Sequence, residues 1–239
     1  MKRIIFSIFL VFSAVTVFAQ GSKTVKNLPN YDNRLWHFGF TVGCNNMGFK
    51  IDKCDGFFAG KDIYGIEAEK HTGFHIGPIS NLHLTRFLDF RMLFDLSFNQ
   101  RDLVFYYAGG SDKAEKRIMQ NEKVSLTSTL LEFPVHFKFK AERWGNFAPY
   151  LIAGGCYKYD LSAGKSKNGE ELPIKLLKHD PCAEWGGGFD FYLQYFKLSV
   201  ELKYSLGFYN TLDKSLNNGY TNSINKLTSN AMILSLHFE

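Results

Sequence analysis

Several things are scarce in this sequence. It has only 4 cysteines and 6 prolines in 239 residues. Beyond the first nineteen residues no apolar run reaches the ~18 that a membrane-crossing helix needs, which excludes a helical membrane protein. The formal charge is only +5, and its lysines and arginines form no basic run, so nothing favours nucleic-acid binding. Zinc-type spacings such as His-Glu-x-x-His and Cys-x-x-Cys are missing. The Gly186-Gly187-Gly188 run has no helix pattern after it, as a phosphate-cradling loop requires. Its expected role is to let a strand bend or a bulky neighbour approach. No set of Ser, His and acid marks a nucleophile. The expectation is therefore a non-enzymatic chain with no cofactor, no metal and no small-molecule substrate.

What is abundant is alternation. With 24 Phe and 12 Tyr, the chain carries stretches in which apolar and polar residues exchange at every step. Phe90, Met92, Phe94, Leu96 and Phe98 oppose Arg91, Leu93, Asp95, Ser97 and Asn99. Leu131, Phe133, Val135, Phe137 and Phe139 oppose Glu132, Pro134, His136 and Lys138. Trp185, Gly187, Phe189, Phe191 and Leu193 face away from Glu184, Gly186, Gly188, Asp190 and Tyr192. Leu198, Val200, Leu202, Tyr204 and Leu206 face away from Lys197, Ser199, Glu201 and Lys203, and the Met232–Phe238 stretch repeats the pattern. Each reads as a strand between two environments. The first stretch (Trp36, Phe38, Phe40, Val42) and the second (Phe74, Ile76) are weaker. The fifth, Phe147 to Tyr159, is apolar on both faces, which leaves its facing open.

The connections alternate too. Short ones centre on Thr85 to Leu88, Lys140 to Asn146 and Gln194 to Phe196. Long ones run near Asp52 to Thr72, Ala108 to Lys123, Leu161 to Asp180 and Asn210 to Thr228. A soluble lipocalin-like barrel would turn the apolar face inward and has no reason to gather its long loops at one end. A bacterial outer-membrane barrel does, because its periplasmic turns are tight and its outer loops are free to grow. The aromatic-rich strands and the last strand's place at the chain's end agree. The predicted fold is all-β: an eight-stranded antiparallel up-and-down transmembrane β-barrel.

Lys2 and Arg3 precede an apolar run from Ile4 to Phe12, and Val17-Phe18-Ala19 offers a small-residue cleavage site, so residues 1–19 read as a signal peptide. Its removal would leave 220 residues and, without Lys2 and Arg3, a formal charge of +3. Residues 20–35 then form a periplasmic N-terminal segment and 36–239 the barrel, integral to the outer membrane and bathed in its lipid. A charge facing hydrocarbon costs roughly 2–4 kcal/mol at the midplane, so Arg91, Asp95, Glu132, Lys138, Asp190, Glu201 and Lys203 are expected to face the lumen as a neutralising network. His37, His75, His83, His136 and His237 fall on the same inward faces. Cys44, Cys54, Cys156 and Cys182 are expected at the external end as candidate disulfides, with local pairing of Cys44 to Cys54 and Cys156 to Cys182. Sequence does not separate the three pairings, and buried free thiols are the alternative.

With these residues in view, the chain resembles the PorT family of Bacteroidetes outer-membrane barrels, called SprT in gliding relatives. The resemblance runs over nearly all of the mature chain. It is carried by Asn30-Tyr31-Asp32, His37-Phe38-Gly39-Phe40 and Gly43-Cys44-Asn45-Asn46-Met47. It continues through Leu131-Glu132-Phe133-Pro134 with Phe137-Lys138, Pro149-Tyr150-Leu151-Ile152-Ala153-Gly154-Gly155 and Tyr157-Lys158-Tyr159-Asp160-Leu161. Gly188-Phe189-Asp190-Phe191-Tyr192, Tyr195-Phe196-Lys197-Leu198, Glu201-Leu202-Lys203-Tyr204-Ser205 and Leu236-His237-Phe238-Glu239 complete it. Cys44 departs from an expected aliphatic residue. The resemblance implies a non-enzymatic component of the type IX secretion system, required to export sorting-domain cargo such as secreted proteases. Its implied partners are other secretion components, met through the lipid face, the outer loops or Gln20 to Leu35. A structural or small-solute barrel with no secretion role is the alternative.

Overall fold

The computed structural model describes residues 26–31, 34–53, 63–107, 120–163, 174–213, 221 and 224–239. Its strands are β1 (Trp36–Lys53), β2 (Ile63–Thr85), β3 (Leu88–Leu93), β4 (Asp95–Tyr107), β5 (Gln120–Lys140), β6 (Phe147–Asp160), β7 (His179–Tyr192), β8 (Lys197–Gly207) and β9 (Ile224–Phe238). β3 and β4 are halves of one stave. Their pairing sums with β2 are continuous, and the break at Phe94 falls opposite Pro78, which has no N–H to return. Phe94 donates to the Pro78 carbonyl at 3.2 Å. Every stave runs antiparallel to the next, and β1 pairs with both β2 and β9, so eight staves close into a ring. Closure leaves no edge, as hydrocarbon demands.

Side chains sort by the pleat. Phe38, Phe40, Phe74, Phe94, Phe133, Phe137, Trp185, Leu202 and Leu234 all stand exposed on the outside. Along β1 the outward apolar run from Trp36 to Cys44 spans about 26 Å of strand, or ~20 Å of thickness at a 40° tilt. Trp36, Trp144 and Tyr195 are exposed near the short-turn end, as a girdle residue would be. The fifth stave resolves as well: Pro149, Leu151, Ala153 and Tyr157 point out, while Tyr150, Ile152, Cys156 and Lys158 are buried inside. At one short turn Gly145 adopts a left-handed φ of 61°, and Trp144 and Phe147 exchange backbone hydrogen bonds of 2.8 and 3.2 Å across it.

The staves are longer than the alternation suggested. β2 begins at Ile63, β5 at Gln120 and β9 at Ile224, all inside stretches expected to be loops. The reason is an inversion of polarity. On β5 the outward residues change from Phe133 and Leu131 to Thr129, Thr127, Ser125 and Lys123. The inward ones change from Lys138, His136 and Glu132 to Leu130, Leu126 and Val124. Above that level the barrel stands in water and packs like a soluble one. Phe49, Ile66, Leu103, Phe105, Val124, Leu126 and Leu227 form its core. A single membrane-type pattern therefore stops short of the strand ends.

This inversion yields a paired test. Arginine at Phe133 enters hydrocarbon at roughly 2–4 kcal/mol and should block assembly, whereas Thr127→Arg, on the same face six residues up, should be silent. Heat-modifiable migration reads both; normal folding of Phe133→Arg overturns the assignment of faces.

Candidate functional site

The interior is closed at three levels, and the lowest is sealed by the N-terminal segment. Asn27 donates from its backbone to Asn146 Oδ1 (2.9 Å) and from its amide to the Tyr192 carbonyl (3.0 Å). Arg143 donates to the carbonyls of Asn27, Leu28 and Gly145 while its guanidinium lies 3.7 Å from the Tyr192 ring centre. These contacts place Tyr31 in the mouth. Its ring stacks on His37 at 4.0 Å, meets Tyr192 edge-on and lies under the Lys197 ammonium. Its hydroxyl donates to Glu239 at 2.9 Å. Burial first, and then the Glu239 carboxylate, push the Tyr31 phenol well above its ordinary value, so it remains a donor. Beside it lies a cavity of about 530 Å³ lined by Lys26, Pro29, His83, Arg86, Lys140, Glu142, Arg143 and Tyr192.

The middle level is a charge network at membrane depth. Arg91 bonds Glu201 at 2.7 Å and Glu239 at 3.4 Å. Lys138 pairs with Asp190 at 2.6 Å, and Ser199 donates to the same carboxylate at 2.5 Å. Glu184 takes His136 at 2.9 Å and Lys203 at 3.1 Å; Lys197 closes on Glu239. Tyr150 reaches across the lumen to Glu201 at 2.9 Å, with Lys138 over its ring at 3.8 Å. Gly188 makes that possible, because a Cβ there would stand 2.7 Å from the Tyr150 hydroxyl. All seven sequence-chosen charges (Arg91, Asp95, Glu132, Lys138, Asp190, Glu201 and Lys203) are buried in the lumen. Their pairing differs from a neighbour-in-sequence reading, since Lys203 serves Glu184 while Glu201 serves Arg91. Asp95 and Glu132 face each other across β4 and β5, and each keeps a buried oxygen without a hydrogen-bond partner.

Sequence reasoning missed Tyr31, Tyr150, Lys158 and Glu239. The two on β6 lie on a stave with no clear polar face, and the other two lie outside the alternating stretches. Above the charges sits the apolar core, capped by Ile174 and Leu212. Leu176 bridges Leu212, with backbone bonds from Leu177 to Thr211 (2.8 Å) and Asp213 to Lys175 (3.0 Å). These segments, from the β6–β7 and β8–β9 connections, form a lid.

The cysteines require a correction. Cys44 sits mid-strand on the lipid face, level with Phe74 and Leu234, and not at the external end. β1 then runs extended to Lys53, roughly 30 Å further on at 3.3 Å per residue, so pairing with Cys54 is incompatible with the strand. Cys54 itself lies outside the described residues. Cys156 and Cys182 are buried in the lumen, directly opposite one another and not at the external end, and both are free thiols in the structure.

On the outer flank of the extension, His71 lies 2.7 Å from Asp102, and Lys123 bridges Asp102 (2.9 Å) and Glu69 (2.7 Å). The three ligand-type groups Glu69, His71 and Asp102 lie close enough to hold an ion, but the Lys123 ammonium fills the place a cation would take. Ser125 gives its hydroxyl to Asp102, so it is bound to the acid and not poised against His71. Burial opposes ionisation of Asp102, but hydrogen bonds from Lys123, Gln100 and Ser125 outweigh it and hold the carboxyl below its ordinary value.

Two measurements follow. Glu201→Lys should lower stability by about 3–5 kcal/mol in urea unfolding from vesicles, because it sets a second cation against Arg91 and leaves it only the 3.4 Å contact with Glu239 in the lumen. Asp95→Asn should be neutral or stabilising, as it removes a buried carboxylate that makes no ion pair among the described residues and keeps one oxygen without a hydrogen-bond partner. For Asp102, a depressed folded pKa contributes stability that is complete above ~4 and is lost as pH falls through the folded value. The melting-temperature gap between wild type and Asp102→Asn should therefore be constant near neutrality and shrink with acid.

Residues 18–213 match the outer membrane protein beta-barrel domain family. A search of curated proteins gave no significant match. Among solved structures, the chain is similar to OprG from Pseudomonas aeruginosa at 13 % identity and TM-score 0.44, covering 84 % of this chain and 94 % of that one. It is similar to Neisserial surface protein A at 8 % identity and TM-score 0.42, covering 85 % and 98 %. The outer membrane protease OmpT from Escherichia coli matches at 8 % identity and TM-score 0.43, covering 91 % and 99 %. At such identities and scores the likenesses carry no argument about activity. The family match, the closed ring and the lipid-ready exterior together place this chain in the outer membrane protein β-barrel domain family, as an integral outer-membrane protein.

Proposed function

We propose that this barrel is a non-enzymatic component of a protein-export machine, of the type IX kind that its resemblance to the PorT family implies, and that it acts through contacts with other secretion components. The observation that carries the reading is closure. Tyr31 fills the periplasmic mouth, ion pairs span the middle, and an apolar core with its lid fills the outer end. A lumen blocked three times over does not suit a solute path, and an eight-stranded barrel cannot thread a folded protein. Among the described residues the His136–Glu184 and His71–Asp102 pairs have no nucleophile in an open cleft beside them. What is left to work is surface: the basic mouth around Arg86, Lys140 and Arg143, the docked N-terminal segment, and the outer loops.

Deletion of the gene should leave sorting-domain cargo in the periplasm, and the wild-type chain should restore its export. Complementation by Asp190→Asn should also succeed, provided it migrates as a folded barrel. Tyr31→Ala, or removal of residues 23–34 from a chain that still folds, should impair export and reduce crosslinks to other secretion components. Unchanged cargo export in the deletion strain would sink the secretion role and leave a structural or solute-binding barrel.

A further inference from the structure

We propose that Cys156 and Cys182 are joined by a disulfide formed before the barrel closes, which fastens the root of the β6–β7 connection and the lid it carries. The register is suitable. Cys156 opposes Cys182 on β6 and β7, with both side chains buried inward. The backbone bonds from Asp160 to the Lys178 carbonyl (2.8 Å) and from Tyr192 to the Asn146 carbonyl (2.9 Å) belong to the same pairing series. They mark the inward positions of these strands as hydrogen-bonded pairs, for which the Cα separation is about 5.5 Å. That lies within the ~4.4–6.8 Å that a disulfide spans. The two Sγ atoms already lie within 4.8 Å of each other, and the Cys182 thiol donates to the Cys156 carbonyl at 3.3 Å.

The surroundings of the finished pair are polar. Lys158 lies next to the pair and donates to Ser205 Oγ at 3.0 Å, and Ser205 also bonds Cys182. Lys158 stands directly opposite Glu132 on β5, so its charge has a carboxylate neighbour and does not require a thiolate. A metal held by both sulfurs and Glu184 is the competing arrangement. Glu184 gives Oε2 to His136 at 2.9 Å and to the Lys203 ammonium at 3.1 Å, which sets positive charge beside the place of an ion, while Oε1 keeps no hydrogen-bond partner; a chelator therefore separates the two arrangements.

The step balances with a protein disulfide of the export compartment as oxidant. The Cys182 thiolate attacks one sulfur of that disulfide and releases the other as a thiolate. The Cys156 thiolate then attacks Cys182 Sγ and expels the second. Two electrons and two protons pass to the oxidant, which leaves as a dithiol. Both cysteines are inaccessible in the closed barrel, at 4 and 3 % exposure, so the reaction belongs to the unfolded stage and the finished bond is shielded from reductants.

The test is thiol alkylation of the full chain, extracted from membranes in denaturant without reductant and then digested for mass spectrometry. The expected result is alkylation of Cys44, no alkylation of Cys156 or Cys182, and a linked peptide containing both, which separates on reduction. Cys156→Ser with Cys182→Ser should still migrate as a folded barrel but be cleaved faster within residues 174–178, the lid segment beside the pair. Four outcomes overturn the proposal: complete alkylation of both thiols without reductant; a link from either cysteine to Cys54; thiols freed by a chelator, with stoichiometric metal in the native protein; or protease resistance unchanged in the double variant.

Discussion

Hydrocarbon on the outside is the constraint on which the rest of this structure depends. With no water at the membrane face, every backbone N–H and C=O there must find a partner inside the protein, and a closed ring of antiparallel strands provides one for each. The pleat then sends alternate side chains to lipid and to lumen, with no freedom to choose. The charges between Arg91 and Lys203 are forced inward together, and the lumen of eight staves is too narrow to hydrate them freely. They can remain charged only by neutralising one another, and this produces the Arg91–Glu201, Lys138–Asp190 and Lys203–Glu184 pairs. The network is thus a consequence of the solvent as much as a device for stability.

The same rule explains the change of character above the membrane. Once lipid gives way to water, the outward residues become Thr, Ser and Lys, while Leu103, Phe105, Val124 and Leu126 turn the interior into an ordinary apolar core. Continuous strands therefore serve two environments with opposite amphipathicity and one unbroken register. The lid of Ile174, Leu176 and Leu212 completes a core that an open rim would leave exposed. At the other end Tyr31 performs a similar task with polar partners, bringing an aromatic ring and one hydroxyl to a mouth lined by His37, Tyr192, Lys197 and Glu239.

Closure at three levels fills the lumen of this barrel among the described residues. Among the described residues many of its charged groups are locked in ion pairs or, like Asp102, surrounded by donors. What it presents is a lipid-facing wall, a basic mouth next to a docked segment, and the lid segments around Ile174 and Leu212 over an apolar core. An export component that works through contacts has use for each of these surfaces.

The strands at membrane depth, their inward charges and the eight-stave count were legible in the sequence, because lipid on one side writes a period of two in strong letters from Phe90 to Asn99 and from Leu131 to Phe139. The extension above the membrane was not, since its pattern is inverted and weaker, and β2, β5 and β9 looked like loops where they are still paired. Facing on β6 was also invisible, because Tyr150 and Ile152 are as apolar as the Leu151 that meets lipid. Only the tertiary structure decided which charge answers which, because partners lie across the ring and not along the chain: Arg91 and Glu201 are 110 residues apart. Cys156 and Cys182 came into register, and Cys44 was carried away from Cys54, by strand pairing, which sequence spacing does not encode. Composition and periodicity set the solvent of each face; the closing of the ring set every contact across it.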